Sequence, residues 1–430
     1  MKMIYSYTRY TINRFLYTAL FIIMSNSLSL SQVSAEDSLF QQADYYFTIG
    51  YYDSAVNALT EIIELNPTSA MAYSLLGNAF YVQGNYEKAI TMYNKCIELD
   101  STSIPDYLNL GNAYIDAGKL DSAIAVHKFL ITIDSLYDGN YVNLGDAYMK
   151  NQEIVKAQEC FIKAIDLNYY STIAHVNLAM AYYDQNKYSE AIDELFLVRN
   201  LDDWYPLLQS RLSYVAKKAE TEFENWVDNE PTNSEAHYYY AFSLWYSDKR
   251  GDAIDELEEA IELNDKVEKY FLTKAIWLHN NEEYDDAIAE CNVCLTLNPD
   301  SWMCHNRIGL SYAFLKKSAE ALTHYKRSVE IDPFVPQSQL LLGEAYLVNK
   351  QFKDAVESIE KALTNTIASG VKNPVVYLDL AIAYYKNGDY ENAMNNVMIA
   401  KNMNFAEKQV TDDLKKEINN LLTSIEKAMK

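Results

Sequence analysis

The sequence predicts an all-α solenoid of tandem helix–turn–helix repeats, and three observations support this prediction. An alanine recurs at intervals of 34 residues along most of the chain. A small residue followed three positions later by a large one recurs with the same period. Proline falls between the predicted helices outside residues 204–233, as its missing N–H requires. A fixed period of this length is typical of solenoids, in which each repeat packs against its neighbours.

The first helix of each repeat, helix A, carries the small–large pair, for example Gly111 with Tyr114. A spacing of three places both residues on one helical face. The small residue lets the neighbouring helix approach, and this contact offsets the roughly 1 kcal/mol that glycine costs in a helix. The small residues are Ala43, Gly77, Gly111, Gly145, Ala179, Ala241, Ala275, Gly309, Gly343 and Ala381.

The second helix, helix B, carries the marker alanine, usually followed four positions later by a large apolar residue such as Tyr93 or Phe161. A turn containing glycine, such as Gln83-Gly84-Asn85, is predicted between the two helices. The marker alanines are Ala55, Ala89, Ala123, Ala157, Ala191, Ala253, Ala287, Ala321, Ala355 and Ala393.

One copy is degenerate, because 62 residues separate Ala191 from Ala253. Ala219 and Phe223 fit its helix B, and its helix A is predicted to be a short segment from Trp204 to Tyr214 that contains Pro206. A shortened repeat changes the stacking angle, so we predict a kink at residues 204–233. The alternative is a repeat that has drifted in sequence without a kink.

The kink would separate two arrays, residues 36–203 with repeats 1–5 and residues 234–404 with repeats 6–10. A four-residue insertion before Ala393 predicts a loop at residues 364–373 (TNTIASGVKN). Residues 405–430 contain an amphipathic stretch, Val410 to Met429, that is predicted to cap the solenoid.

Blocks such as Tyr107-Leu108-Asn109-Leu110-Gly111-Asn112-Ala113-Tyr114 and Asn85-Tyr86-Glu87-Lys88-Ala89-Ile90 resemble tetratricopeptide repeats. The resemblance covers about ten recognisable copies and the degenerate one, roughly residues 36–404. It implies a right-handed superhelix whose A helices line the concave face, and it implies no particular partner.

Residues 1–35 are predicted to be a secretory signal. Lys2, Arg9 and Arg14 precede an apolar run from Phe15 to Met24, and Val33-Ser34-Ala35 offers a small-residue cleavage site. The run is shorter than the roughly twenty residues of a membrane span. We therefore predict an exported protein, periplasmic or secreted; with an uncleaved anchor the repeats would still face outward.

The net charge of −24 argues against nucleic acid and anionic membrane surfaces as partners. It permits basic or polar peptides, and the alternative is a charged surface that only keeps the protein soluble. Ser/His/Asp sets, paired carboxylates and phosphate-binding loops do not stand out from the repeat pattern, so we predict no enzyme, cofactor or metal.

Cys291, Cys294 and Cys304 form the one cluster typical of a metal or thiol-redox site. Cys291 and Cys294 occupy core positions of the repeat, where a free cysteine packs well. Packing is therefore the favoured interpretation, and a Cys294–Cys304 disulfide or metal site is the alternative.

Two sets of residues are predicted to contact a partner on the concave face. Asn109, Asn143 and Asn177 recur at intervals of 34 on three successive A helices, and amides can bond to a peptide backbone. This ladder is similar to the one in O-GlcNAc transferases, which implies an extended polypeptide. The second set is Tyr238, Phe242 and Trp245; its alternative is packing against residues 204–233.

The sequence therefore favours a non-catalytic, exported scaffold that binds a polypeptide on its concave surface. A metal or thiol-redox module at Cys291, Cys294 and Cys304 is one alternative. An architectural protein that assembles with copies of itself is another.

Overall fold

The computed structural model describes residues 35–202, 205, 207–369, 371, 373–406 and 412–429. Residues 1–34 of the predicted signal, together with Trp204 and Pro206, lie outside the described residues. Throughout the described chain the regular elements are 22 helices, which confirms the prediction of an all-α fold. None of these helices has the length and apolar character needed to cross a membrane.

The chain divides into two compact units, residues 1–163 and residues 164–430, which we call the N-terminal and C-terminal units. The N-terminal unit contains paired helices α1 to α7 and most of α8, which continues past the division. Their bounds are α1 Ala35–Thr48, α2 Tyr52–Leu65, α3 Ala70–Val82, α4 Tyr86–Leu99, α5 Ile104–Asp116, α6 Leu120–Ile133, α7 Asp138–Lys150 and α8 Ile154–Leu167.

The C-terminal unit continues the same pairing and ends with a single helix. Its helices are α9 Thr172–Asp184, α10 Tyr188–Leu201, α11 Leu208–Asn229, α12 Ser234–Tyr246, α13 Arg250–Leu263, α14 Glu268–Asn280, α15 Tyr284–Leu297, α16 Trp302–Phe314, α17 Ser318–Ile331, α18 Pro336–Val348, α19 Phe352–Ala368, α20 Pro374–Asn387, α21 Tyr390–Ala406 and α22 Asp412–Ala428.

The small residue of helix A lies against a large residue of helix B in the same repeat, as predicted. A Cβ added to Gly77 would lie 2.6 Å from Cε1 of Tyr93, and one added to Gly145 would lie 2.4 Å from Cε1 of Phe161. Both separations are far below van der Waals contact, so glycine is required for the two helices to pack this closely.

Gly145→Ala is expected to lower the free energy of unfolding by up to about 2 kcal/mol. Phe161 is fully buried and has no room to withdraw from the added methyl group. Overpacking costs about 1 to 3 kcal/mol, and the better helix propensity of alanine returns roughly 1 kcal/mol. Urea denaturation measures the change. Gly251→Ala is the matched control, because its added Cβ meets no atom within 4 Å; equal losses in both variants would contradict this account.

The turn between helix A and helix B has a left-handed residue at the same place in each repeat. Glycine occupies it at positions 50, 84, 118 and 388, with φ between 74° and 85°. In other repeats a non-glycine residue adopts φ between 58° and 68°: Gln152, Asn186, Asp248, Glu282, Lys316 and Lys350. The left-handed backbone conformation therefore recurs at this position, although the amino acid differs between repeats.

The degenerate copy differs from its predicted form. Leu208 to Asn229 form one continuous helix of 22 residues, α11. Residues 208–214, which were predicted to end a separate short helix A, are the first two turns of α11. Ala219 and Phe223 are buried, as predicted for its helix B. The boundary between the two compact units lies after Lys163 and not at residues 204–233. The division into arrays 36–203 and 234–404, with a kink between them, stays a prediction.

The predicted loop at residues 364–373 is wrong in its first half. Helix α19 continues to Ala368 and is 17 residues long, because Thr366 is buried one turn after Ala362 and keeps the helix on its packing face. Three of the four inserted residues therefore lengthen a helix, and the fourth lengthens the connection to the next one. The predicted capping helix is confirmed as α22, whose Ile418 and Ile425 are buried against α20 and α21.

Within the C-terminal unit, the segment between α8 and α9 contacts repeats far along the chain. The Tyr170 hydroxyl donates to both carboxylate oxygens of Asp332, at 2.9 and 2.8 Å, and Asn168 Nδ2 donates to the carbonyl of Ala368 at 2.8 Å. Beside them, Leu201, Trp302 and Val335 form a small buried cluster. These contacts tie the start of this unit to its later repeats, beyond the neighbour packing of a simple solenoid.

Candidate functional site

The N-terminal unit contains an open groove of about 580 Å³, which we call the N-terminal groove. It is built mainly on α3 and α5, the A helices of two successive repeats. Its lining residues include Phe47, Met71, Ser74, Leu75, Asn78, Tyr81, Val82, Tyr93, Asp106, Asn109 and Asn112.

Side-chain amides line the groove. Asn109 Nδ2 donates to Asn78 Oδ1 at 3.1 Å, and the Tyr93 hydroxyl donates to the same oxygen at 2.9 Å. These bonds fix the orientation of Asn78, because only its Oδ1 can accept them. An amide held in this way presents its remaining donors to the groove at low entropic cost.

Apolar side chains flank the amides and reach solvent. Met71 is 64% exposed and Val82 is 49% exposed, and both line the groove. Exposed apolar side chains beside oriented amides are typical of a surface that anchors side chains of a bound polypeptide and pairs with its backbone.

Asp106 supports the wall of the groove. It is buried and accepts hydrogen bonds from Ser74 Oγ at 2.5 Å, from Cys96 Sγ at 3.2 Å and from Ser103 Oγ. Burial, followed by the hydrogen bond to Asp106, raises the pKa of the Cys96 thiol to about 12. The Cys96 thiol therefore holds its proton at neutral pH and donates it to Asp106 as a hydrogen bond.

The three residues of the predicted asparagine ladder lie on three helices, and only Asn109 lines the N-terminal groove. Asn109 lines the N-terminal groove, and Asn143 is half-buried on α7, the next A helix of the same unit. Asn177 is half-buried on α9 in the C-terminal unit. Partner contact by Asn109, Asn143 and Asn177 stays a prediction.

The expectation that Tyr238, Phe242 and Trp245 are exposed on the concave face is wrong. They are 0%, 1% and 8% exposed, respectively. Helix α14 covers them: Tyr270 stacks on Tyr238 with ring centroids 4.9 Å apart, and Trp277 stacks on Trp245 at 4.5 Å. These aromatic residues form a core, and they offer no surface to a partner.

The cysteine cluster separates into two parts. Cys294 and Cys304 form a disulfide between the end of α15 and the start of α16. Cys291 is a free, buried cysteine, and burial raises its pKa to about 12. Cys291 is therefore a packing residue, as the favoured interpretation predicted. Cys294 and Cys304 form the disulfide that was the predicted alternative.

The disulfide occupies a position that recurs at the joints between repeats, where helix B meets the next helix A. At a joint far earlier in the chain, in the N-terminal unit, Cys96 bonds to Asp106, also ten residues away. At the joint that follows the disulfide, Ser328 Oγ and Ser338 Oγ lie 2.9 Å apart. The spacing of ten residues thus brings a pair of side chains into contact at each of these joints, and only its chemistry varies.

The column that contains His175, His237 and His305 is a packing column, as predicted. His175 Nε2 donates to the carbonyl of Tyr169 at 2.8 Å, and His237 Nε2 donates to that of Pro231 at 3.0 Å. His305 lies beside His324, with the two Nδ1 atoms 3.1 Å apart. These contacts join helix A to the turn before it or to its own helix B.

Paired helices with a 34-residue period and a groove lined by helix A define a helical-repeat protein of the α-solenoid class. Models described as tetratricopeptide repeat match residues 36–69, residues 70–103, and residues 142–200 and 306–372. The chain is a tetratricopeptide-repeat protein.

Several known proteins are similar to parts of the chain. A peroxisomal targeting signal receptor of Candida albicans is 25% identical over 132 residues, which are 26% of this chain and only 22% of that receptor. A crystal structure of MamA is 24% identical over 38% of this chain and 90% of its own, with a TM-score of 0.35. The structure of yeast Tom70 is 14% identical over 92% of this chain and 95% of its own, with a TM-score of 0.41.

Asn78 is a groove residue whose role was not predicted from the sequence. It follows the packing glycine Gly77 by one residue, and Asn109 precedes Gly111 by two. These two positions meet on adjacent A helices. The offset of 31 residues between Asn78 and Asn109, three short of the period, is the register at which these two A helices bring their side chains together.

Proposed function

We propose that this chain is a non-catalytic scaffold that binds a polypeptide in extended conformation in the N-terminal groove. The observation that carries the proposal is the pair of oriented amides, Asn78 and Asn109, beside the exposed side chains of Met71 and Val82. Amides pair with the backbone of an extended chain, and apolar anchors bind alternate side chains.

Charge supports a basic or neutral partner. The lining of the groove includes the carboxylates of Asp100 and Asp106, and its described residues include no lysine or arginine. The whole chain carries a net charge of −24. An acidic partner would be repelled during its approach, whereas a basic one would be attracted.

We also propose that the protein works outside the cytoplasm. The basic and apolar N-terminal segment with its small-residue cleavage site supports export. The Cys294–Cys304 pair adds support, since disulfides persist in oxidising compartments and are rare in the cytosol. Immunoblotting of cell fractions with an antibody to the repeats tests this part directly.

Photocrosslinking tests the groove in the native envelope. A benzophenone amino acid at Met71, inside the groove, is expected to crosslink to a polypeptide. The same amino acid at Leu65, which is exposed on α2 and is not among the lining residues, is the matched control. Equal crosslinking at Met71 and Leu65 would contradict a specific groove.

Replacing Asn78, Asn109 and Asn112 together by alanine is expected to weaken binding of the crosslinked polypeptide at least tenfold. Each lost hydrogen bond costs about 0.5 to 1.5 kcal/mol. Fluorescence anisotropy with a labelled peptide from the crosslinked region measures the affinity. The exposed residues Asn57, Asn225 and Asn395, replaced together, are the matched control, and an equal loss there would contradict the proposal.

A further inference from the structure

We infer that the Cys294–Cys304 joint is a Zn²⁺ site when its disulfide is reduced, with Glu268 as the third protein ligand. The three ligand atoms, two Sγ and a carboxylate oxygen, all lie within 4.8 Å of one another. This inference does not depend on the polypeptide-binding groove, because the joint belongs to the C-terminal unit and the groove to the N-terminal unit.

The distances suit tetrahedral zinc. Cys294 Sγ lies 3.7 Å from Glu268 Oε1. Zinc binds thiolate sulfur at about 2.3 Å and carboxylate oxygen at about 2.1 Å, which places sulfur and oxygen about 3.6 Å apart in a tetrahedron. The carboxylate is therefore already at the separation from Cys294 that a shared metal requires.

Neighbouring donors hold the carboxylate in place. Asn298 Nδ2 donates to Glu268 Oε2 at 2.8 Å, and Ser301 Oγ donates to Oε1. Residues that orient a metal ligand in this way contribute to affinity, because the ligand loses less entropy when the metal binds. Glu268 and Asn298 are partly exposed while both sulfurs are buried, so the metal would enter from the carboxylate side, where a water can complete the four ligands.

The joint can hold the cysteines without a covalent bond. At the equivalent joint, Ser328 and Ser338 remain in contact through a hydrogen bond. The reduced Cys294 and Cys304 would occupy the same two helix positions. The repeat stacking therefore keeps the two thiols together when the disulfide is absent.

The chemistry is a two-electron exchange followed by metal binding. A dithiol reductant supplies two electrons and two protons to the S–S bond and becomes a disulfide itself, which leaves two thiols at the joint. Zn²⁺ then binds both as thiolates, and two protons pass to solvent. A disulfide oxidant reverses both steps: it accepts two electrons from the two thiolates and two protons from solvent, becomes a dithiol, and leaves the S–S bond restored and the metal released. The disulfide and the zinc site are therefore alternative states of one pair.

Zinc titration of the purified full chain tests the inference. After reduction with a phosphine, which does not compete strongly for zinc, the chain is expected to bind one Zn²⁺ per molecule, and the unreduced chain none. Co²⁺ in place of zinc should give thiolate-to-cobalt charge-transfer absorption. Failure of the reduced chain to bind zinc at micromolar concentration would overturn the inference.

Four variants assign the ligands. Cys294→Ser and Cys304→Ser should each abolish binding and the charge-transfer band. Glu268→Gln should weaken binding at least tenfold while leaving the disulfide able to form, which shows that the joint still folds. Cys291→Ser, the matched control on the same helix, should bind as the unaltered chain does; loss of binding in Cys291→Ser, or retention in Cys294→Ser, would overturn the assignment.

Discussion

Trp277→Ala is expected to lower the free energy of unfolding of the C-terminal unit by about 3 to 5 kcal/mol, the usual cost of truncating a buried tryptophan. Trp277 is 1% exposed and stacks on Trp245 with an interplanar angle of 2°. Phe242 also contacts its ring, with centroids 6.4 Å apart. The cavity would therefore open where α12 meets α14, and neighbouring residues are too closely packed to fill it.

Urea denaturation followed by far-UV circular dichroism measures this loss. Tyr214→Ala is the matched control, since Tyr214 is 57% exposed and makes one ring contact, with Tyr183; it is expected to cost less than about 1.5 kcal/mol. Amide hydrogen exchange in α3 and α5 should be unchanged, because repeats of a solenoid stabilise mainly their neighbours. A loss below about 1 kcal/mol for Trp277→Ala would contradict the packing described.

The aromatic core explains why one predicted site was wrong. Tyr238, Phe242 and Trp245 were predicted to face the concave side from their positions within one helix. Their burial depends on Tyr270 and Trp277 of the following helix A, which lie 32 residues after Tyr238 and Trp245 and therefore two residues short of the equivalent positions. Aromatic residues from two different columns of adjacent A helices stack on each other, and the positions within one helix do not reveal such a contact.

Contacts inside one repeat or across one joint were predictable, because the period itself expresses them. Gly145 against Phe161 is such a contact, and so is the Cys294–Cys304 joint, once its spacing of ten is compared with that of Ser328 and Ser338. The bond from Tyr170 to Asp332 joins residues 162 positions apart. No repeat pattern encodes a contact of this kind, so the sequence offered no signal for it.

The register that pairs Asn78 with Asn109 recurs in the C-terminal unit with two carboxyl groups. Glu344 follows Gly343 on α18, and Asp379 precedes Ala381 by two residues on α20. Burial raises the pKa of Glu344 to about 7. Burial, then repulsion from Glu344 and Glu417, raises the pKa of Asp379 well above its usual range, and Asp379 Oδ2 is buried without a hydrogen-bond partner among the described residues.

These raised pKa values link stability to pH in a definite direction. A carboxyl group whose pKa is higher in the folded than in the unfolded chain binds its proton more tightly when folded. For Glu344, the stabilisation is complete below its ordinary pKa of 4.5 and is lost as the pH rises through about 7. Buried histidines act oppositely: burial lowers the pKa of His279 to about 4, so its contribution is present above pH 6.5 and is lost as the pH falls toward 4.

Because the two trends oppose each other in the unaltered chain, the double variant Glu344→Gln with Asp379→Asn isolates the carboxyl pair. The variant is expected to be more stable than the unaltered chain by about 2 to 3 kcal/mol at pH 8, since amides avoid the cost of two buried charges. The difference should shrink steadily to pH 5, where the unaltered pair holds its protons. Urea denaturation at both pH values measures it, and the exposed pair Glu262→Gln with Asp265→Asn is the matched control. A difference that does not change with pH would show that the carboxyl pair does not titrate as described, because a packing effect of the amides would persist at pH 5.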